Sequence, residues 1–235
     1  MLRLKIELPK DTYHTVIRSR DEVANVLIHA MVKHGFQVEK NTAAKWGFGV
    51  LSTPTDKTKN LRRIGRVYVG SSDPKIAEIL SKIEPKDLIE PNAMPGCGLN
   101  LSMAEITKQT TSLETEGIGF YCISPIRPAH LPQTEYELPA FGQPFNDALN
   151  LAMQHRFNRE FHLSFAPDSL YVRAKGGNVT ARMAHNRKSP QGVLTKPGLI
   201  TPFVLTGPKE EIDIAYFSGL GINTGRGFGC IEVSL

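Results

Sequence analysis

Two histidines, His29 and His34, are the side chains of this sequence best suited to proton transfer. The imidazole pKa lies near neutral pH, so a histidine can act as a general acid or a general base under ordinary conditions. Both lie in residues 21–34, where apolar residues recur at helical spacing and Gly35 provides a stop. On a helical wheel His29 falls on the polar face, whereas His34 lies along the apolar stripe in the last turn. His29 is therefore predicted to be accessible, and His34 to be accessible only where the helix ends or frays.

The basic residues are concentrated in two tracts, although the formal net charge of the 235-residue chain is only +5. From Ser169 to Lys209 there is no Asp or Glu, and residues 40–72 contain a single acid, Asp56. Tracts of this kind favour a polyanionic partner that spans both halves of the chain. The side chains predicted to contact its phosphates are Lys45, Arg62, Arg63, Arg173, Lys175, Arg182, Arg187 and Lys188.

Residues 219–229 form the glycine-rich run GLGINTGRGFG. Glycines at this density indicate a backbone that turns with positive φ or approaches another group closely. A dinucleotide-binding loop would open a helix and be followed about 20 residues later by an acidic residue, and a Walker loop needs a following G-K-S/T; neither pattern occurs. The run is predicted to be a loop between the last helix and the last strand, and Gly225, Arg226 and Gly227 are predicted to meet an RNA backbone there.

The three cysteines, Cys97, Cys122 and Cys230, form no C-x-x-C pair and have no close histidine partner. Neither a disulfide framework nor a metal site is predicted, and no cofactor is expected. The sequence has no apolar run of about 18 residues and its start alternates charged and apolar residues, so a soluble, unprocessed cytoplasmic protein with no membrane partner is expected.

Both halves of the chain predict the element order β-α-β-β-α-β. In the first half we expect strands at 2–8, 46–52, 61–69 and 99–107, a helix at 21–34, and a second helix capped by Ser72 or Asp73 that runs to about residue 83. In the second half we expect strands at 119–123, 169–174, 179–185, 200–205 and 228–233, a helix at 145–162 and another after Pro208. The fold class is therefore α+β, with two tandem ferredoxin-like domains at 1–114 and 115–235.

Four segments of the second half resemble one family in the right order: ISPIRP at 123–128, DALNLAMQHRFNREF at 147–161, TPFVLTGPKEEIDIA at 201–215 and the ending SGLGINTGRGFGCIEV. They are similar to the CRISPR-associated endoribonucleases of the RAMP superfamily. The first half resembles that family through its opening strand, its histidine-bearing helix and WGFGVLS at 46–52.

The resemblance implies a protein that binds CRISPR repeat RNA within precursor CRISPR RNA and cuts it into guide units without a metal. The substrate's own 2′-OH attacks the adjacent phosphate and leaves a 2′,3′-cyclic phosphate and a 5′-OH. A histidine on or just after the first helix supplies proton transfer. LIHAMVKHG favours His29 by its Leu-His pair, while His34-Gly35-Phe36 also fits family members, so His29 is placed ahead of His34.

The resemblance leaves the remaining catalytic groups and the function itself open. Lys33 or Lys45 could stabilise the charge of the transition state, and no counterpart of the tyrosine found in some relatives is evident, because Tyr13 precedes the helix. The alternative function is a non-catalytic RNA-binding RAMP subunit, with other CRISPR effector subunits as partners. A single RRM module is disfavoured, since neither half contains the aromatic-dense strand of that module.

Overall fold

A computed structural model describes residues 1–9, 16–17, 19–39, 42–56, 61–91, 98–128, 141–185 and 194–234. The first half contains a five-stranded antiparallel sheet and two principal helices. Its elements are β1 (Leu2–Glu7), β2 (Val16–Ile17), α1 (Arg20–Lys33), β3 (Trp46–Asp56), β4 (Leu61–Ser71), α2 (Pro74–Ser81) and β5 (Glu105–Gln109), with a 3-10 turn at Pro85–Asp87.

The second half contains a four-stranded sheet and a separate two-stranded hairpin. Its elements are β6 (Gly117–Cys122), α3 (Gln143–Phe157), β7 (Ser164–Pro167), α4 (Ser169–Ala174), β8 (Thr180–His185), β9 (Leu194–Leu199), β10 (Phe203–Thr206), α5 (Lys209–Ser218) and β11 (Ile231–Val233), with a 3-10 turn at Thr224–Arg226.

Both large sheets have the strand order of a ferredoxin-like fold. In the first, the order β5-β1-β4-β3 places the fourth strand of the motif beside the first, then the third and the second, and β2 is an extra short strand on β4. In the second, β11-β6-β10-β7 repeats that order. The predicted α+β fold with two ferredoxin-like domains is confirmed. The boundary after residue 114 stays a prediction and lies in the connection between β5 and β6.

Each sheet packs its own helices on one face. In β1 the side chains of Leu2, Leu4 and Ile6 enter a core that also takes the apolar face of α1. A second core collects Phe120, Phe203 and the neighbouring apolar residues of the other domain. The predicted alternation of β1 is thus confirmed for its apolar face. Its other face was expected to be wet, but Arg3 is 1% exposed because the second domain covers that face of the sheet.

The second half departs from the prediction between residues 158 and 199. Residues 169–174 were predicted as a strand and form the short helix α4, because the Asp168 carboxylate accepts hydrogen bonds of 2.9 Å from the amides of Leu170 and Tyr171. The second strand of the domain is β7, which was missed. The predicted strand at 179–185 is β8, but among the described strands it pairs only with β9, in the separate hairpin.

Two further boundaries were wrong. The helix predicted to reach residue 162 ends at Phe157, because Asn158 adopts a left-handed conformation with φ of 54°. The strand predicted at 99–107 is β5, which begins only at Glu105; the preceding residues turn back so that Asn100 bridges to Ile89. Across the described part of the chain, no helix is both long and apolar enough to span a membrane.

Candidate nucleic-acid interface and catalytic histidines

The glycine-rich loop connects α5 to β11, as predicted, and it packs against the first domain. Thr224 donates a hydrogen bond of 2.7 Å from Oγ1 to the carbonyl oxygen of Trp46 in β3. A Cβ atom at Gly225 would lie 3.0 Å from the side chain of Ala44, and one at Gly227 would lie 2.9 Å from the ring of Phe48. The loop therefore bridges the two domains along the edge strand β3.

Glycine is required within the loop and in the strand of the first domain that faces it. Gly221 and Gly229 have φ values of +87° and +67°, and a Cβ at either position would lie about 2 Å from a backbone oxygen, at 2.1 Å from Arg127 and 1.9 Å from Leu220. In the facing strand β3, a Cβ at Gly47 would lie 2.5 Å from the oxygen of Ser218. Close backbone approaches within the second domain account for Gly221 and Gly229, and the contact between the domains accounts for Gly47. RNA contact by Gly225 and Gly227 stays a prediction.

Arg156 of α3 is a fully buried cation that organises the same loop. Its guanidinium donates hydrogen bonds of 2.7, 2.7 and 3.0 Å to the carbonyl oxygens of Ser218, Gly219 and Gly221, and one of 2.9 Å to that of Ala44 in the first domain. Burial lowers the pKa of Arg156 to about 9, so the group remains charged at neutral pH. Sequence reasoning missed this residue, because nothing local distinguishes it from a surface arginine on a helix.

Arg3 makes a second buried link between the domains. Its guanidinium donates a hydrogen bond of 2.8 Å to the carbonyl oxygen of Ile231 and lies between two tyrosine rings, 4.5 Å from the centroid of Tyr68 and 4.3 Å from that of Tyr216. Cation–π contacts of this kind gain strength when the cation is desolvated. The two arginines thus fix the position of the glycine-rich loop and β11 against the first sheet.

His34 follows the last residue of α1 and is held by a carboxylate. Its Nε2 lies 3.0 Å from Oδ2 of Asp87 in the 3-10 turn, and a quarter of its side chain is exposed. Burial by itself would raise the pKa of Asp87. The hydrogen bonds from His34 and the Glu84 amide, with the positive charges of His34 and Lys33, outweigh it and hold that pKa below its usual value. The site is a histidine oriented by an ionised carboxylate, the arrangement that positions a general acid or base.

His29 was predicted to be accessible and is half-buried on α1, and it has no hydrogen-bond partner among the described residues. It lies nine residues after Arg20, which is about two and a half turns at roughly 3.6 residues per turn, so the two face opposite sides of the helix. Since Arg20 is the residue of α1 that contacts Gly227, His29 is turned away from the glycine-rich loop.

The predicted phosphate-binding side chains are distributed over both domains. In the first domain, Lys45 lies 3.7 Å from the carboxylate of Asp73, and Arg62 is exposed and donates hydrogen bonds to Ser52. Arg63, in β4, is half-buried. In the second domain, four of the predicted phosphate-binding residues are exposed: Arg173, Lys175, Arg182 and Arg226. Arg187 and Lys188 lie outside the described residues.

Arg20 is a basic residue outside the set that the sequence pattern predicts to contact phosphates. It is the first residue of α1 and is half-buried, and its Nη1 contacts the sulfur of Met183 in β8. The contact places residues 169–209, the tract without Asp or Glu, against the start of α1. In the sequence, Arg20 is only a basic residue beside the predicted start of the helix. Its position there does not predict a contact with Met183, which is distant in sequence.

Two ferredoxin-like domains in tandem, joined across a glycine-rich loop, define the class that the resemblance implied, the RAMP proteins. Residues 107–233 match the family model for CRISPR associated protein Cas6, C-terminal. The match covers more than half of the 235 residues, so the chain belongs to the Cas6 family of CRISPR-associated proteins.

Solved structures support the same fold over the whole chain. A Cas6-related protein from Pyrococcus furiosus is 15% identical, with a TM-score of 0.66 over 99% of this chain and 98% of that one. A RAMP protein described as binding different RNA substrates is 16% identical, with a TM-score of 0.64 over all of both chains. A CRISPR associated protein Cas6 is 15% identical, with a TM-score of 0.60 over 100% of this chain and 99% of that one. No curated protein sequence matched the chain.

Proposed function

We propose that the protein is a metal-independent endoribonuclease that cuts CRISPR repeat RNA and so produces guide RNAs. Membership of the Cas6 family supports the substrate, and one structurally similar RAMP protein is itself described as binding RNA. The observation that carries the catalytic part is the partly exposed His34 held at 3.0 Å by the carboxylate of Asp87. The sequence favoured His29; the geometry supports His34, because of these two histidines His34 alone has a hydrogen-bond partner among the described residues.

In this proposal the 2′-oxygen of the nucleotide before the cut attacks the adjacent phosphorus. The 2′-hydroxyl proton passes to a base, the P–O5′ bond breaks, and the leaving 5′-oxygen takes up a proton. The products are a 2′,3′-cyclic phosphate and a 5′-hydroxyl. His34 contacts Asp87 through Nε2, which leaves Nδ1 to face the RNA and transfer one of these protons.

The negative charge that develops on the phosphorane needs a cation nearby. Lys33 adjoins His34 in sequence, and its Nζ lies 3.8 Å from Oδ1 of Asp87, so the same carboxylate adjoins both groups. Lys33 is therefore the nearest described cation to the proposed proton-transfer group along the chain, with Lys45 as the alternative. The second proton-transfer group is not assigned to a residue.

A non-catalytic RNA-binding subunit is the second candidate, and one observation favours it. His34 caps the end of α1, and Asp87 also accepts a hydrogen bond of 3.1 Å from the amide of Glu84. The pair would serve equally as a clamp between α1 and the 3-10 turn. In that case fold, charge and glycine-rich loop would serve to hold a guide RNA among other CRISPR effector subunits.

The test is incubation of the protein with its repeat RNA in excess chelator, followed by analysis of the product ends. Cleavage that survives the chelator and leaves 2′,3′-cyclic phosphate and 5′-hydroxyl ends is the expected result. A 2′-deoxy substitution before the cut is expected to abolish cleavage while RNA binding persists. Tight binding without cleavage of any repeat RNA would favour the subunit function, and cleavage of the deoxy substrate at the same bond would contradict the mechanism.

A further inference from the structure

Two arginines from different elements lie near each other where the domains join, Arg20 at the start of α1 and Arg62 in β4. Arg62 pairs in the sheet with Ile17, which precedes Arg20 by three residues. The side chain of Arg20 runs over the glycine-rich loop, since a Cβ at Gly227 would lie 3.2 Å from its Cδ. Its guanidinium then reaches Met183 of the hairpin formed by β8 and β9. The first domain, the glycine-rich loop and the tract without Asp or Glu therefore come together at the side chain of Arg20.

Arg62 is oriented by strand β3. Its Nε donates a hydrogen bond of 2.8 Å to Oγ of Ser52, and its Nη2 donates one of 2.9 Å to the carbonyl oxygen of Ser52. These bonds hold one edge of the guanidinium against the sheet and leave the remaining donors toward solvent. A planar cation held in this way is prepared for paired hydrogen bonds to a phosphate.

The charges of the two arginines are not balanced within the described residues. Burial, together with the positive charge of Arg62, lowers the pKa of Arg20 to about 10. Neither arginine forms an ion pair with a described carboxylate, and a thioether sulfur is a weak acceptor for the Arg20 guanidinium. Two like charges near each other, one of them desolvated, favour a bound anion between them.

We propose that Arg20 and Arg62 together bind a phosphodiester of the RNA where the strand crosses from the first domain to the β8–β9 hairpin. This rests on the proposed RNA-binding function and assigns Arg20 a role in it. The exposed Arg182 of β8 adjoins Met183 and continues the basic surface along the hairpin. The site is a phosphate contact that positions the strand, separate from the proton-transfer group at the other end of α1.

The experiment compares the binding of single-stranded repeat RNA by the full chain and its Arg20→Gln and Arg62→Gln variants over a range of salt concentrations. Each variant is expected to bind roughly tenfold more weakly at low salt, since a charge-assisted hydrogen bond is lost. The slope of log affinity against log salt is expected to become shallower by about 0.7 for one phosphate contact. Arg159→Gln is the matched control, because Arg159 already forms an ion pair with Glu210, and it is expected to leave the slope unchanged.

A second arm locates the phosphate. Replacing one RNA linkage at a time by an uncharged methylphosphonate is expected to reveal a linkage whose neutralisation weakens binding by the wild type but not by Arg62→Gln. Wild-type affinity and slope in both glutamine variants would overturn the subsite and leave RNA binding intact. Absence of RNA binding by the wild type would overturn the proposed function together with the subsite. If Arg20→Gln fails to fold, the exposed Arg62→Gln variant decides the outcome.

Discussion

The Nε atom of Arg156 in the second domain donates a hydrogen bond of 2.9 Å to the carbonyl oxygen of Ala44 in the first domain. The same guanidinium satisfies three carbonyl groups around the start of the glycine-rich loop. These four hydrogen bonds fix the course of the chain, because each of them constrains the main chain directly. The loop is thus held from inside the protein, and its place against β3 does not depend on a ligand.

Replacing Arg156 by Met is expected to lower the free energy of unfolding by about 3 kcal/mol, because buried carbonyl oxygens lose a charged donor. Urea unfolding of the two proteins provides the measurement. The control is Arg159→Met. Arg159 is partly exposed and paired with Glu210, so this substitution is expected to lower the free energy of unfolding by less than about 1 kcal/mol. Equal losses of stability in the two variants would contradict a stabilising role for the buried hydrogen bonds of Arg156.

Replacing Gly229 by Ala is expected to destabilise the protein by about 2 kcal/mol or more, because the φ of +67° strains any side chain and the new Cβ would lie 1.9 Å from the Leu220 oxygen. Gly119→Ala is the control, since its Cβ would meet nothing closer than 3.6 Å, and a change within about 0.5 kcal/mol is expected. Thermal unfolding and RNA binding are to be measured together. A Gly229→Ala protein of normal stability that no longer binds RNA would favour direct RNA contact over packing.

The two histidines of α1 can be separated by activity. His34→Gln keeps a donor for Asp87 but cannot transfer protons at neutral pH, so cleavage is expected to fall about 10²- to 10⁴-fold with RNA affinity nearly unchanged. His29→Ala is expected to cleave normally, because that side chain faces away from the glycine-rich loop. Single-turnover cleavage and equilibrium binding are the measurements.

Other outcomes of that comparison reassign the role. Loss of cleavage in His29→Ala alone would restore the assignment that the sequence favoured. Full cleavage in both single variants and in the double variant would remove α1 from the chemistry and leave the RNA-binding subunit as the better function.

The carboxylate of Asp87 makes stability depend on pH in the acid range. Its pKa is lower in the folded protein than in the unfolded chain, so its stabilising contribution is complete above the unfolded carboxyl pKa and is lost as the pH falls through the folded value. The stability difference between wild type and Asp87→Asn is therefore expected to shrink as the pH falls from about 5 to about 2. Unfolding curves over that range measure it, and a difference independent of pH would show that the pairing with His34 does not require an ionised Asp87.

Local patterns in the sequence determined much of the fold. The alternation in β1 and the helical spacing in α1 can be recognised from a short stretch of sequence, because the period of apolar side chains follows directly from backbone geometry. The glycine-rich run was correctly placed between the last helix and the last strand. The strand predicted at 169–174 failed because S-L-Y-V-R-A suits either structure locally, and the Asp168 cap decides for a helix.

Only the tertiary structure decided which side chains meet. His34 contacts Asp87, Arg3 contacts Ile231, and Arg20 contacts Met183, in each case between separate elements distant in sequence. The density of glycines predicted a close approach of the backbone, but not that β3 and neighbouring carbonyl groups would be what it approaches. The physical reason is that side-chain periodicity records which face of an element is buried, whereas the identity of the partner on that face depends on how the two domains pack together.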